Sequence, residues 1–543
     1  MSEPEPGAPA RGAGECSGAR MSRRELLGRG LALAAVPALG GVLAACGSTD
    51  ERVSAPTRAS EAAPKPKRGG TLTGGISGGS SSDTLDGQDP VTNMDFARIN
   101  SLFEPLVGMD DSAGLEMVLA EEITPNSDGT LWTIRLRKGI TFHNGRELTA
   151  DDVIFSFQRE VDPKDPMPGA AGLAPVDVAG MKKLDAYTVA VPCRTPFSTF
   201  AETIAQVGYG NIVPVGFDPK NPVGTGPFRY HFFTPGQQSV FVRNEHYWRS
   251  GLPYLSELVL DDVSDETTQV NGLLSGQFDV VNLLSVAATS SVKSGGGKLL
   301  VADGGGWTPF TMRVDQPPFD DVRVRQAFRY IVNRREMMEA VFGGKGTIGN
   351  DLFSIWDPSY DHALPQREQD ISRAKSLLRA AGREDLSVTL TTSAVAQGTV
   401  SAAQVLAQQA SAAGVKVKLD PVNVTEFYGP NYLKWTFAQD YWYYALYLPQ
   451  VSDATLPTSP FNECHFDDPR YNQLYAEALR TVDRQKRTDI VHEMQLIDYD
   501  QGGYIIPYFP PVIDGYASDV HGLRPSKVGV SLGNYDFSRV WKS

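Results

Sequence analysis

Residues Trp132–Phe157 read WTIRLRKGITFHNGRELTADDVIFSF. Trp132, Ile134 and Leu136 alternate with Thr133, Arg135 and Arg137, the period-two pattern of a half-buried strand over Thr130–Arg137. Asn144-Gly145 then signals a hairpin turn. Thr149, with Asp152 three residues on, resembles a capping box opening a helix that runs through Gln158. Working outward, a helix begins near Asp321 with Val324, Ala327, Phe328 and Ile331 on one face, and it restarts at Asn333 with Glu336 as a second cap signal. Ile371, Ala374, Leu377, Leu378 and Ala381 mark another amphipathic helix, stopped by Gly382. A helix over about Val400–Ala413 ends at Gly414 and gives way to the alternating strand Val415, Val417, Leu419. The last helices, about Tyr471–Leu479 and Thr488–Tyr499, lead into an apolar strand, Tyr504–Phe509. Strands and helices alternate without an internal repeat, which argues for an α/β architecture with mixed sheets.

The 543 residues are 41% hydrophobic and 21% charged, the balance of a globular protein with room for several lobes. A net charge of −14 argues against nucleic acid as a partner. Four cysteines are too few for a disulfide scaffold. Gly30–Ala45 is a run of sixteen uncharged residues, too short to span a bilayer and suited to the apolar core of a signal peptide. The twin-arginine pattern Ser22-Arg23-Arg24-Glu25-Leu26-Leu27 precedes it, which points to Met21 as the start. Leu43-Ala44-Ala45-Cys46 closes it and resembles a bacterial lipobox, with the Cys46 thiol as the group that carries diacylglycerol. Residues 1–45 are therefore read as a removable signal and 46–69, polar and Pro/Ala-rich, as a flexible tether. Without residues 1–45, the 50 basic and 64 acidic residues become 45 and 60, a net charge of −15. A diacyl group supplies the two chains that stable anchoring needs, so the protein is expected outside the cell membrane, tied to its outer face.

Several segments together resemble the bacterial extracellular solute-binding proteins of family 5, the oligopeptide- and dipeptide-binding group that serves ABC importers. They are LFEPLVGMDD (Leu102–Asp111) with Trp132–Phe157, NPVGTGPF (Asn221–Phe228) with FVRNEHYWRSGLPYLSELVL (Phe241–Leu260), PPFDDVRVRQAFRYIVNRREM (Pro317–Met337) and ISRAKSLLRAAG (Ile371–Gly382). The resemblance implies a two-lobed, periplasmic-binding-protein-like α/β fold with an extra third domain. One lobe would comprise 70–100, 225–305 and 500–543, the extra domain 101–224, and the other lobe 306–499. A solute would bind between the lobes, which close about hinge strands and present the closed form to a permease. Gly224-Thr225-Gly226-Pro227 suits such a crossover, because glycine allows positive φ and close backbone approach while proline fixes its own dihedral.

The resemblance places a ligand-proximal stretch at Asp440–Leu448, where Tyr441, Trp442, Tyr443, Tyr444 and Tyr447 crowd together. Aromatic faces with polar tips suit a cleft that is apolar yet hydrogen-bonding. Read as a strand, the stretch would turn only alternate members toward the cleft. Peptide-binding relatives often carry an aspartate two or three residues after a tryptophan here, to pair with the peptide's α-amino group. This chain has Leu448 near that place, and its nearest later acid is Asp453. Unless Asp453 or Asp440 substitutes, a neutral, blocked or non-peptide ligand is implied. Trp307, Trp356 and Ser77 complete the candidate ligand residues.

An enzyme is the rival reading. Gly75-Ile76-Ser77-Gly78-Gly79 matches G-x-S-x-G, but the nucleophile elbow needs a helix next, and turn-rich SSSDTLDGQDP follows. A surface-anchored hydrolase or a permease-independent sensory binder are the alternatives to a non-catalytic receptor. Gly344-Lys345-Gly346-Thr347-Ile348-Gly349 follows a helix where a dinucleotide site requires a strand. His492-Glu493 lacks the second histidine of a zinc helix, since Leu496 stands there, and Glu463-Cys464-His465 is half a zinc site at most. No metal and no cofactor is expected. Cys193 and Cys464 are expected to be unpaired, and the protein to be a monomer.

Overall fold

A computed structural model describes residues 65–90, 92–206 and 210–543. The signal peptide expected at 1–45, Cys46 and the expected tether as far as residue 64 lie outside the described residues. Among the described residues, no helix is long and apolar enough to cross a membrane.

Three sheets organise the chain. The strand at Leu131–Leu136 forms as its alternation requires, with Trp132, Ile134 and Leu136 buried on one face. It sits inside a four-stranded antiparallel sheet with Ala120–Pro125, Thr188–Pro192 and Lys182–Asp185. The helix Ala150–Glu160 follows Thr149, whose backbone N–H and hydroxyl both donate to the Asp152 carboxylate at 3.0 and 3.2 Å. Its buried Val153 and Phe157 join Trp132 and Ile134 in one core.

The second sheet has seven strands in the order Lys298–Ala302, Val512–Tyr516, Val280–Val281, Thr71–Ile76, Glu257–Asp262, Gln238–Arg243 and Phe228–Thr234. Its central strand, Thr71–Ile76, runs parallel to both neighbours, while the outer pairings are antiparallel. The third has five strands, ordered Lys416–Pro421, Ser387–Thr392, Phe437–Gln439, Phe310–Met312 and Tyr504–Ile505. Helices Val322–Ile331, Arg334–Phe342, Ile371–Ala380 and Thr399–Ala412 cover it, and Asp321 and Asn333 cap the first two through their side chains, as their spacing indicates.

The chain passes between the two large sheets twice, at 303–309 and at 506–511. The second passage divides the apolar run 504–509 that the sequence presents as one strand. Tyr504–Ile505 pairs with Phe310–Thr311, whereas Tyr508–Phe509 pairs with Thr347–Ile348. Pro507 between them has no N–H to give a continuous ladder.

One buried acid sets a pH response. Glu160, 3% exposed, accepts from Gln88 Nε2 at 3.0 Å and from the Gly169 N–H at 2.8 Å, beside an apolar cavity of about 20 Å³. Burial pushes its carboxyl up to about 8, against the Gly169 hydrogen bond and Arg159. A carboxyl raised in the fold contributes stability that is complete below its unfolded value and lost as pH rises through the folded value. Stability should therefore fall between about pH 5 and 8, at up to roughly 1.4 kcal/mol per pH unit for one proton. Asp498, pushed by burial to about 7, acts in the same sense, while His143, pushed by burial down to about 4, opposes it only below its ordinary value. Glu160→Gln should flatten the urea midpoint between pH 6 and 8 relative to wild type. Parallel curves would remove Glu160 as the cause.

Candidate functional site

The aromatic stretch stands where the seven-stranded and five-stranded bodies meet, and its conformation differs from the strand read in the sequence. After the strand Phe437–Gln439 the chain pairs only once, through an isolated bridge between Trp307 and Trp442, and enters the helix Tyr447–Ala454. Each ring therefore has its own direction instead of alternating between two faces. Asp440 turns inward and accepts from the Tyr428 hydroxyl at 2.7 Å, the Tyr432 hydroxyl at 3.1 Å and the Tyr441 N–H at 2.8 Å. Tyr443 is 40% exposed and meets Phe96 edge-on at 6.0 Å. Phe96 belongs to the helix Asn93–Leu102 of the seven-stranded body, so this contact spans the two bodies. Tyr441 lies edge-on to Tyr443 at 5.6 Å.

Other candidates are enclosed by protein. Trp307 is 1% exposed, stacked between Phe353 at 5.4 Å and Trp442 at 5.7 Å, with Tyr504 edge-on at 5.2 Å. Tyr447 is fully buried, and its hydroxyl donates to Asp498 at 2.5 Å and lies 3.1 Å from the Tyr471 hydroxyl. Tyr444 packs into the core of the seven-stranded body, where Gly305 leaves the room its ring fills, and burial raises its hydroxyl pKa. These three rings are enclosed by protein on every side; Trp442, half-buried, ends the stack and donates from Nε1 to Glu463 at 3.3 Å. Trp356 donates from Nε1 to the Asp303 carbonyl at 3.1 Å, and Lys527 lies 3.9 Å over its ring. It touches the first passage between the sheets and packs against the cores that hold Tyr444 and Tyr447. Asp453 lies half-buried on the helix Tyr447–Ala454.

Sequence reading missed the residues that hold the stretch in place. Ser354 Oγ donates to the Ala445 carbonyl at 2.8 Å, and Asp357 accepts the Tyr447 N–H at 2.7 Å. The only signal was their nearness to Trp356 in SIWDP. Phe96 was hidden in an unremarkable helix.

The segment Gly224–Pro227 joins the four-stranded body to the strand Phe228–Thr234, so the passages between the two large sheets lie elsewhere. Neither Gly224 nor Gly226 has positive φ. They are glycine because a Cβ would stand 1.9 Å from the Leu102 carbonyl oxygen at Gly224 and 2.6 Å from its carbonyl carbon at Gly226. Thr225, fully buried, donates to Glu104 at 2.9 Å, and Glu104 also accepts from Tyr247 and Trp248, each at 2.8 Å. His143 accepts the Gly224 N–H at Nδ1 and faces the Gly226 carbonyl with Nε2 at 3.0 Å. Its neutral form fits this arrangement, with the proton on Nε2. These contacts pin the segment against Leu102 and His143.

The chemistry of a hydrolase is not assembled at Ser77. The strand Thr71–Ile76 is followed by turns, and the next helix opens only at Asn93. Ser77 donates from both N–H and Oγ to Asn282 Oδ1, at 2.8 and 3.1 Å. The donors of Glu463-Cys464-His465 diverge: Glu463 faces Trp442 and Tyr504, Cys464 packs on Gly503, and His465 Nε2 faces the Leu433 carbonyl. No group of three metal-binding side chains occurs among the described residues. Cys193 and Cys464 are both free thiols.

The family model described as bacterial extracellular solute-binding proteins, family 5 middle, matches residues 114–472. The chain is 31% identical over 300 residues to heme-binding protein A of Haemophilus influenzae, covering 50% of this chain and 54% of that protein. It is 26% identical over 466 residues to the glutathione-binding protein GsiB of Escherichia coli, covering 81% and 88%. The crystal structure of the ABC transporter substrate-binding protein CtaP from Listeria monocytogenes superposes with a TM-score of 0.78 at 19% identity, covering 88% of this chain and all of that one.

Proposed function

From the premise that the chain belongs to the bacterial extracellular solute-binding proteins of family 5, we propose that it is a non-catalytic receptor that captures a small solute between two lobes and hands it to the permease of an ABC importer. The lobes would follow the boundaries expected from the resemblance: 70–100, 225–305 and 500–543 against 306–499, with 101–224 as the extra domain. The observation that carries the reading is the contact of Tyr443 with Phe96, which brings an aromatic segment of one body onto the other. A solute touching both bodies binds their closed arrangement preferentially and shifts the population toward it. Tyr441, Trp442 and Tyr443 are the side chains we assign to solute contact, with Asp453 and Asp440 as the acids nearby. Trp307, Tyr444 and Tyr447 hold them, and Trp356 and Ser77 brace the surrounding chain.

Cys46 would carry diacylglycerol after removal of residues 1–45, and 46–69 would let the receptor reach the permease while anchored. The relatives are named for heme and glutathione binding, ligands unlike each other, so the solute is assigned only as small and bound without protein-ligated metal. Native mass spectrometry of the detergent-extracted protein from its host tests both parts. The expected mass exceeds that of the chain from Cys46 by a diacylglycerol adduct and, under gentler conditions, by one small solute that Tyr443→Ala loses. A bare polypeptide mass under both conditions overturns the reading.

A further inference from the structure

The four-stranded body touches the five-stranded body through a second, polar contact far along the chain from either passage between the sheets. Ser198 donates from its N–H to the Leu479 carbonyl and from Oγ to the Ala478 carbonyl, each at 2.8 Å. Those two carbonyls belong to the last turn of the helix Pro469–Arg480, where carbonyls lack the usual amide four residues on; the Ala478 carbonyl also accepts the Thr481 N–H at 3.0 Å. Arg487, in the first turns of the helix Arg484–Gln501, donates to the Ser198 carbonyl at 2.9 Å and to Glu202 at 2.7 Å. The Arg487 and Glu202 side chains are only 14% and 16% exposed, so solvent screens the pair weakly. Leu479 packs against the core of the four-stranded body beside them.

We propose that Ser198, Glu202 and Arg487 form a latch that sets how far the two bodies stay closed when no solute is bound. The four-stranded body cannot move independently of the seven-stranded one, because Thr225, Tyr247 and Trp248 share buried Glu104, and Arg159 and Asn211 reach across to Asp86 and Gly87. The five-stranded body is joined to that pair covalently only by 303–309 and 506–511. Rotation about those two passages separates 198–202 from 478–487 and breaks all four hydrogen bonds together. Such a contact is bistable: made with good geometry, or absent.

The latch rests on the hinged two-body reading but not on the identity of the solute, and its test needs no solute. Hydrogen–deuterium exchange on the full-length protein, stripped of small molecules by dialysis, compares wild type with Arg487→Ala and Glu202→Gln. Loss of a charge-assisted pair should shift the closed-to-open ratio about tenfold. Exchange should rise by up to that factor at 196–202, 476–482 and also at 92–98 and 440–446, which the latch does not touch. It should stay unchanged in the strand Thr71–Ile76. A rise confined to 196–202 and 476–487 would make the contact merely local and overturn the proposal. A rise everywhere, the central strand included, would mark a general loss of stability and overturn it as well.

Discussion

Replacing Asp351 by asparagine should destabilise the protein by about 3–5 kcal/mol, although the change removes no volume. Asp351 is fully enclosed and is the one acid within 4.0 Å of three buried arginines. Arg334 holds it with Nη2 at 2.7 and 2.6 Å, Arg367 with Nη1 at 2.5 Å, and Arg329 stands 4.0 Å away. Burial pushes its carboxyl up, but Arg334, Arg367 and Arg329 outweigh burial and hold it below the ordinary value. Burial likewise pushes Arg329 down to about 10, with Asp351 as the main opposing influence. An amide would leave Arg334 and Arg367 buried without an anion, and Arg329 with only the more distant Asp498, whose own carboxyl burial pushes up to about 7. Asparagine tolerates the left-handed backbone of residue 351, φ 63°, so the substitution isolates the charge. Asp351 also accepts the Ile506 N–H at 3.1 Å, at the start of the second passage between the sheets. Urea denaturation followed by circular dichroism reads the loss. The exposed pair Arg379–Glu384, at 71% and 60% side-chain exposure, is the contrast, and Glu384→Gln should stay within about 0.5 kcal/mol of wild type. Equal effects of the two substitutions would refute the argument from burial.

Sequence alone distinguishes these two arginine–acid pairs poorly, and the same limit governs the rest. What is local in cause was legible. Leu131–Leu136 is a strand because its faces alternate, and the helices after Asp321 and Asn333 open where their caps stand. The α/β architecture with mixed sheets followed from such pieces. Glycine was harder, because its use for conformational freedom and its use for space look identical in a sequence. Gly224 and Gly226 read as hinge residues, yet they have ordinary φ and are small because the Leu102 carbonyl occupies the room. The passages at 303–309 and 506–511 carried their own signals, Gly304-Gly305-Gly306 and the prolines at 507, 510 and 511. The aromatic cluster at 441–447 was visible as composition. Its arrangement was not, since Trp307, Phe353 and Ser354, which direct its members, lie about ninety residues or more away.

Trp307 is a core residue that lies under the proposed site, and Trp307→Ala should cost about 3–5 kcal/mol, the range for emptying a buried large aromatic site. The stack runs Tyr447, Phe353, Trp307, Trp442, with neighbouring centroids 5.0, 5.4 and 5.7 Å apart. Three of the four rings are buried, so Trp307 is the floor on which the half-buried Trp442 rests. The backbone bonds between Trp307 and Trp442, 3.0 and 2.8 Å, survive truncation of the indole. Alanine should therefore keep the first passage between the sheets in register while freeing the Trp442 ring to tilt into the space left behind. Trp307→Phe retains an aromatic face against Phe353 and should recover about half of the lost stability, because less volume is emptied. If Trp442 contacts the solute from this floor, affinity for the solute that co-purifies with wild type should fall at least tenfold in Trp307→Ala and be partly restored in Trp307→Phe, under conditions where both remain folded. Urea midpoints and titration calorimetry separate the two effects. Affinity kept at the wild-type value while stability falls would confine Trp307 to the core and remove the stack from recognition.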